Sequence, residues 1–405
     1  MTAALIVDAL RTPRGRGNDK GALRGVKPVD LLAGVLRALP ARSGIDPAAI
    51  ADVIVGCVSQ TAEQGSHIGR LALLAAGWPD SVPALSINRY CASGLSAVGY
   101  AAMQALASDR LAVGGGVESM SRVPMSSDGG PLTRDPDLGR ALRLVSIGLA
   151  ADAIATQQGF SRADCDAVAL ASQQRAAAAR EAGWLRSLAP VADAEGTLLL
   201  AADETPRPQT SAATLAELKP AFAALGAKTG LDDWLAEHLG LAAIDHVHTA
   251  GNSPAMADGA STVLLASPGA ARRLGLKPRA RLLGVAEVAI DRTLALTGAV
   301  DATRAVLART GLTLADIDLF EINESFAALM LHYMKHLDVP HERLNVNGGA
   351  IALGHAMGST GAALLGTALD ELERRGARRA IVAACGAAGL AAAALIERIA
   401  PGAGA

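Results

Sequence analysis

Ile87-Asn88-Arg89-Tyr90-Cys91-Ala92-Ser93-Gly94 is the stretch on which the reading turns. An apolar run of strand character breaks there into small residues and opens a helix through Leu95, Val98, Ala102 and Leu106. A thiol at such a junction faces unpaired backbone N–H groups and the positive end of a helix dipole, and both favour thiolate over thiol. Cys91 is therefore a candidate nucleophile, and its setting is expected to favour the anion.

The same design recurs twice. Asn345-Val346-Asn347-Gly348-Gly349-Ala350-Ile351-Ala352-Leu353-Gly354-His355-Ala356-Met357-Gly358-Ser359-Thr360-Gly361 sets a single histidine among glycines. Residues without a side chain let a ligand approach the main chain, and the imidazole is the one reactive group of the run. Ala380-Ile381-Val382-Ala383-Ala384-Cys385-Gly386-Ala387-Ala388-Gly389-Leu390 is a buried strand ending, like the first stretch, in a thiol and small residues.

The surrounding pattern repeats as well. A helical stretch from Val29-Asp30 leads through Gly44-Ile45-Asp46-Pro47 to the strand Asp52-Val53-Ile54-Val55. A second, from Val300-Asp301, leads through Gly311-Leu312 to Asp318-Leu319-Phe320-Glu321-Ile322. Strand and helix alternate in both copies, which predicts a duplicated α/β architecture with parallel pairing and reactive residues at strand ends facing helix starts. Between the copies, residues 121–248 loosen into Pro/Asp/Gly turns and Ala-rich helices, too long for a simple connection.

Together these segments resemble the thiolase family, whose signatures are a nucleophilic Cys, a Gly-His motif and a second Cys near the C-terminus. Gly115-Gly116-Val117-Glu118-Ser119-Met120, Leu218-Lys219-Pro220-Ala221-Phe222, Gly251-Asn252-Ser253, Asp258-Gly259-Ala260 and Asn323-Glu324-Ser325-Phe326 extend the likeness over nearly the whole chain. The resemblance implies a thiolase-like fold, with two duplicated βαβαβ-type halves and mixed sheets in an α/β/α/β/α layering. Its division would be residues 1–120 and 249–275 for the N-terminal half, 121–248 for an inserted loop domain over the active site, and 276–405 for the C-terminal half.

The activity it implies is acyl transfer between thioesters. Cys91 would attack the keto carbon of a 3-ketoacyl-CoA and carry the acyl group, His355 would take its proton, and Cys385 would protonate the departing acetyl-CoA carbanion. One oxyanion hole would join His355 to a water on Asn323, and another would use the backbone N–H groups of Cys91 and Ala387. Lys219 and Ser253 fall at CoA-binding positions of the family. Coenzyme A or acetyl-CoA is expected as co-substrate, with no permanently bound cofactor and no metal, in a homodimer or homotetramer.

Four departures bear on the substrate: Ala356 for the proline after the histidine, Pro254 for a CoA-contacting Ser, Ser146-Ile147-Gly148 for His-Met-Gly, and Ala387-Ala388 where glycine is frequent. The middle two weaken an acetoacetyl-CoA specialist and favour a degradative 3-ketoacyl-CoA thiolase. The alternatives are an acetyl-CoA C-acetyltransferase running the Claisen condensation, and a non-catalytic CoA or lipid binder. Cys385 argues against a ketoacyl synthase, which has no second catalytic Cys. The stretch from Gly226 to His246 is longer than in many relatives and has no assigned role.

Composition is consistent with an enzyme of small molecules. With 405 residues, 51% hydrophobic and 19% charged, the chain can bury a large core, and a net charge of −2 offers no footprint for nucleic acid or anionic membrane. The start, Ala3-Ala4-Leu5-Ile6-Val7-Asp8-Ala9-Leu10, reads as a first strand rather than a signal peptide, and the tail at residues 402–405 carries no targeting tripeptide. A cytoplasmic protein without membrane spans is expected. Cys57 and Cys165 are read as packing residues, and the pairs His332/His336 and His246/His248 lack further ligands for a metal.

Overall fold

The structure, a computed structural model, describes residues 2–400, so the tail at 402–405 lies outside the described residues. The first strand, β1 (Ala4–Arg11), is buried along its whole length, as apolar residues on both faces demand. β2 (Gly15–Arg16) is a short return, and β3 (Ile50–Gly56), β4 (Ala84–Ile87) and β5 (Leu111–Ser119) complete an N-terminal set. In the long segment that follows, β6 (Val191–Ala192) and β7 (Leu198–Leu200) form a separate two-stranded sheet. β8 (Ala257–Ala266) rejoins the first set. β9 (Ala280–Ala289), β10 (Leu319–Ile322), β11 (Arg379–Cys385) and β12 (Leu390–Arg398) form the second.

The strand order is β10-β11-β12-β9-β1-β8-β5-β3-β4. Parallel pairing, predicted from the strand–helix–strand order, holds for β3 with β4 and β5 and for β10 with β11. β8 and β12 run antiparallel to their neighbours, which makes the sheet mixed. The two sets are not separate sheets. β1 pairs with β8 and, through Ala4, Leu5 and Ile6, with β9, so among the described residues ten strands form one continuous sheet.

Two helices pack against each other between the strands. The helix Met357–Arg375 is buried from Met357 through Leu372, the pattern of an inner-layer helix. Its partner, Ser93–Ser108, touches β3 and β5 on one side and β9 and β12 on the other. The helix Pro28–Ser43 covers the outer face of β1, β5 and β8, and Gly298–Thr310 that of β9, β11 and β12. The α/β/α/β/α layering is thus present, with the sheet curling around its middle layer.

Glycine makes the inner contact possible. A Cβ at Gly94 would stand 2.6 Å from Gly358 O, and one at Gly361 only 2.3 Å from Leu95 N. The backbones therefore meet at the first turns of the two inner helices, and each helix start carries one of the reactive residues read from the sequence.

Candidate active site

Cys91 sits on a turn bent by Tyr90, whose φ of 48° is left-handed. The Asn88 side-chain carbonyl accepts the Tyr90 N–H at 2.8 Å and holds the turn. The N–H groups of Ala92 and Ser93 donate to the carbonyls of Arg89 and Tyr90 at 3.2 and 2.9 Å, and Ala92 is the N-cap residue. Cys91 thus lies one residue outside the helix, beside donors already used in the turn. Burial pushes its thiol up, and Cys385 and Glu118 add to the effect. This burial opposes the thiolate that the helix start is expected to favour.

His355 precedes the N-cap of the helix Met357–Arg375. Thr360 Oγ1 donates to Ala356 O at 3.0 Å, so at 2.8 Å from His355 Nδ1 it accepts that nitrogen's proton. Nε2 is then the basic nitrogen, and it has no hydrogen-bond partner among the described residues. Burial, reinforced by Arg14, lowers the imidazole to about 3, so it is neutral at physiological pH. The backbone here is set by a bridge to Met256 and by the His355 N–H donating to Ala255 O at 2.8 Å. That bridge supplies the extended geometry that a proline in place of Ala356 would favour.

Cys385 ends β11, and the turn beyond it is pressed onto the Cys91 turn: a Cβ at Gly386 would stand 3.0 Å from Tyr90 Cβ and 3.5 Å from Cys91 N. The Cys385 sulfur lies 3.2 Å from Ser325 Oγ, which accepts from Asn323 Nδ2 at 2.9 Å. Since an accepting hydroxyl keeps its own proton to give, Ser325 can donate to a Cys385 thiolate, while burial pushes the free thiol up. Asn323 Oδ1 is buried without a hydrogen-bond partner among the described residues.

A cavity of about 760 Å³ brings these groups together. Cys91, His355, Ser325, Ala387 and Ser253 line it directly. Asn323 and Cys385 stand behind Ser325, at 0% and 2% exposure. A thiol, a neutral imidazole and a second thiol around one largely apolar cavity can perform nucleophilic attack and two proton transfers.

Residues 4–232 match the family description "Thiolase, N-terminal domain" and residues 276–398 match "Thiolase, C-terminal domain". The chain belongs to the thiolase family. It is 40% identical over 410 residues to a 3-ketoacyl-CoA thiolase of Erwinia tasmaniensis, covering 98% of this chain and all of the relative. A beta-ketoadipyl-CoA thiolase of Pseudomonas aeruginosa is also 40% identical, over 97% of this chain and 98% of its own. The crystal structure of human mitochondrial 3-ketoacyl-CoA thiolase superposes with a TM-score of 0.85 at 32% identity, over 98% of this chain and 99% of that one.

Against this thiolase fold the remaining readings sort themselves. Ser253 lines the cavity, and its buried hydroxyl has no hydrogen-bond partner among the described residues. Pro254 and the run Ser146, Ile147 and Gly148 are also wall residues, and Phe222 packs so closely that a Cβ at Gly148 would meet its ring at 2.2 Å. Lys219 is exposed and does not line the cavity. The long stretch after Gly226 forms the helix Leu231–Leu239, whose Leu235 and Ala236 pack on Leu149 and Ala153 behind that wall. His246 bridges Asp152 at 2.8 Å and Asp232 at 3.0 Å, and His248 meets Asp152 at 2.6 Å, so both histidines brace this buttress. His332 and His336 stack with ring centroids 4.0 Å apart, and Cys57 and Cys165 are fully buried.

Sequence reasoning gave no role to Thr360, Ser325 or Glu118. The buried Glu118 carboxylate accepts from Val58 N and Ser59 N at 3.0 Å, Gln64 Nε2 at 2.8 Å and Gly358 N at 2.9 Å, tying the Cys57 loop to the helix that follows His355. Its signal was the acid in Gly115-Gly116-Val117-Glu118, a charge at the end of an otherwise apolar strand.

Proposed function

We propose that this thiolase cleaves 3-ketoacyl-CoA with coenzyme A, giving acetyl-CoA and a shortened acyl-CoA through a thioester on Cys91. His355 Nε2 takes the Cys91 proton as sulfur attacks the keto carbon. The bond between C2 and C3 then breaks, its electron pair stays on the acetyl-CoA fragment, and the Cys385 thiol protonates that carbanion. In the second half, the Cys385 thiolate takes the proton of incoming CoA, whose sulfur displaces Cys91. The leaving Cys91 sulfur recovers its proton from His355. Asn323 with His355, and the N–H groups of Cys91 and Ala387, stabilise the two oxyanions. Ser253 would meet CoA in the cavity and Lys219 at its mouth, and the insertion spanning 121–248 would close over both.

The observation that carries this reading is the pairing of an unpartnered His355 Nε2 with a Cys385–Ser325–Asn323 chain around one cavity containing Cys91. Degradative work on fatty or related acyl chains, a cytoplasmic setting and a homodimer or homotetramer accompany it. The test is thiolysis of 3-ketoacyl-CoAs of increasing chain length, followed by loss of enolate absorbance, with Cys91→Ala alongside. Turnover beyond acetoacetyl-CoA, with acyl mass on the Cys91 peptide and loss in the variant, supports the proposal. Activity confined to acetoacetyl-CoA would move it to the condensing acetyltransferases, and no turnover with any chain would defeat it.

A further inference from the structure

Arg14 is buried to 3% exposure, yet its Nε and Nη1 have no hydrogen-bond partner among the described residues. The carboxylates around it are engaged elsewhere. Asp203 takes the Arg11 fork at 2.7 and 2.8 Å, and Glu324 accepts from Ser172 Oγ, Asn345 Nδ2 and Ile351 N at 2.7, 3.1 and 3.0 Å. Burial and the neighbouring Glu324 push Glu321 well up, which favours the uncharged acid, and its buried Oε2 is likewise unpartnered among the described residues. Burial and Arg11 lower Arg14 only to about 10, so it stays a cation. A buried, unpaired charge costs stability, and such local rules are broken chiefly where function requires it.

The backbone fixes this charge behind His355. Arg14 N donates to Asp203 Oδ1 at 2.8 Å, and Glu204 N donates to Arg14 O at 3.0 Å. Next along the chain, β2 pairs Gly15 with Asp258 and Arg16 with Ala257, and Gly17 N donates to Met256 O at 2.9 Å. Met256 in turn bridges to His355. Other acids in the region are occupied: Glu118 accepts from Gly358 N and from the Cys57 loop, and Asp258 accepts from Ser121 N and Oγ. Cys91 and Cys385 are thiols, so Arg14 is the charge that acts on His355.

We propose that Arg14 is a positioning residue for the proton transfers of His355. Its fixed positive charge keeps the imidazole uncharged while Nε2 waits for the Cys91 proton. The imidazolium formed in the first half-reaction is then a strong acid, ready to hand the same proton back to the leaving Cys91 sulfur in the second. This inference rests on the reading of His355 as the base.

The experiment reads Cys91 alkylation by iodoacetamide near neutral pH, which needs no substrate. Transfer of the Cys91 proton to His355 makes the reactive thiolate, so removing the charge that opposes the imidazolium raises the rate. Arg14→Met speeds alkylation by about tenfold, the equivalent of one pH unit in imidazole affinity, and Arg14→Lys returns it to near the parent rate. In a His355→Asn background the same substitution has no such effect, which separates a field acting through His355 from a loosened cavity. In thiolysis the second half-reaction slows, because a weaker acid returns the proton. The thermal midpoint holds or rises, since an unpaired buried charge has gone. Unchanged alkylation, with or without a lowered midpoint, or an equal rise without His355, would overturn the proposal. If Arg14→Met does not fold, Arg14→Gln, which keeps hydrogen-bonding groups without the charge, gives the same reading. Absence of thiolysis in the parent enzyme would defeat the thiolase reading, and the alkylation rates would still decide on Arg14.

Discussion

His355 bears the clearest prediction at the scale of single residues. Its imidazole is lowered to about 3 by burial and by Arg14. The unfolded chain, with an ordinary value near 6.5, binds the proton first as pH falls, so this group weakens folding between about 6.5 and 3 and is without effect above that window. In catalysis the base is already neutral, and kcat/KM has no inflection near an ordinary histidine value across roughly pH 5 to 8. A pH–rate profile on the intact enzyme with a step near 6.5 would contradict the assignment. Ser325 gives a second prediction: Ser325→Ala removes the hydroxyl joining Cys385 to Asn323 and lowers kcat by about 10- to 100-fold, the range of a lost supporting hydrogen bond. Stopped-flow separation of the half-reactions should show slowing in both, because the proposed mechanism has Cys385 move a proton in each. Cys91, His355 and Cys385 were legible in sequence as candidates because small residues isolate them. Ser325 and Thr360 were not, because a hydroxyl shows its role only when its donor and acceptor are in place.

Among the elements, the crossing of the two inner helices decides whether the site exists. Gly361→Ala inserts a methyl 2.3 Å from Leu95 N, where backbone and not a flexible side chain must yield. The expected cost is about 1–3 kcal/mol of stability, read by urea unfolding, and kcat falls as well, since the shift separates the starts of the helices beside Cys91 and His355. Unchanged kcat in a folded variant would show that the crossing does not set the geometry. The strands and inner helices could be anticipated from apolar runs bounded by Gly and Asp. The antiparallel entry of β8 could not, because it returns after the long insertion and its partners are chosen by tertiary packing, whereas β12 folds straight back on β11 through the short turn at 386–389. The buttress after Gly226 was likewise opaque, since its purpose lies in Leu149 and Ala153, far away in sequence.

Across the whole molecule, Arg279 joins the halves. It donates to Asp8 of β1 at 2.9 Å and to Asp370 and Glu373 of the inner helix at 2.7 Å. Arg279→Ala leaves the buried Asp370 with the Ser187 N–H but no cation, while Asp8 keeps Arg42 at 2.8 Å, so the expected loss is about 3 kcal/mol by urea or thermal unfolding. The sign with pH follows from Glu373, which Arg279 holds below its ordinary value of 4.5 against the opposing pull of burial. That contribution is complete above the ordinary value and is lost as pH falls through the lower folded one, so the variant's deficit narrows in acid. A deficit constant from neutral pH to acid would contradict this linkage.

The place of β1 between β8 and β9 has a consequence in time. β1, an apolar strand buried on both faces, is made well before both of its neighbours, β8 and β9. Until β9 has emerged it cannot be enclosed on both edges, and Cys385 is made 294 residues after Cys91. Contacts so distant in sequence are slow to form and leave sticky edges bare meanwhile. A nascent chain of this thiolase therefore carries Cys91 through those 294 residues of synthesis without the whole of its candidate site, and depends until then on whatever shelters an unfinished sheet.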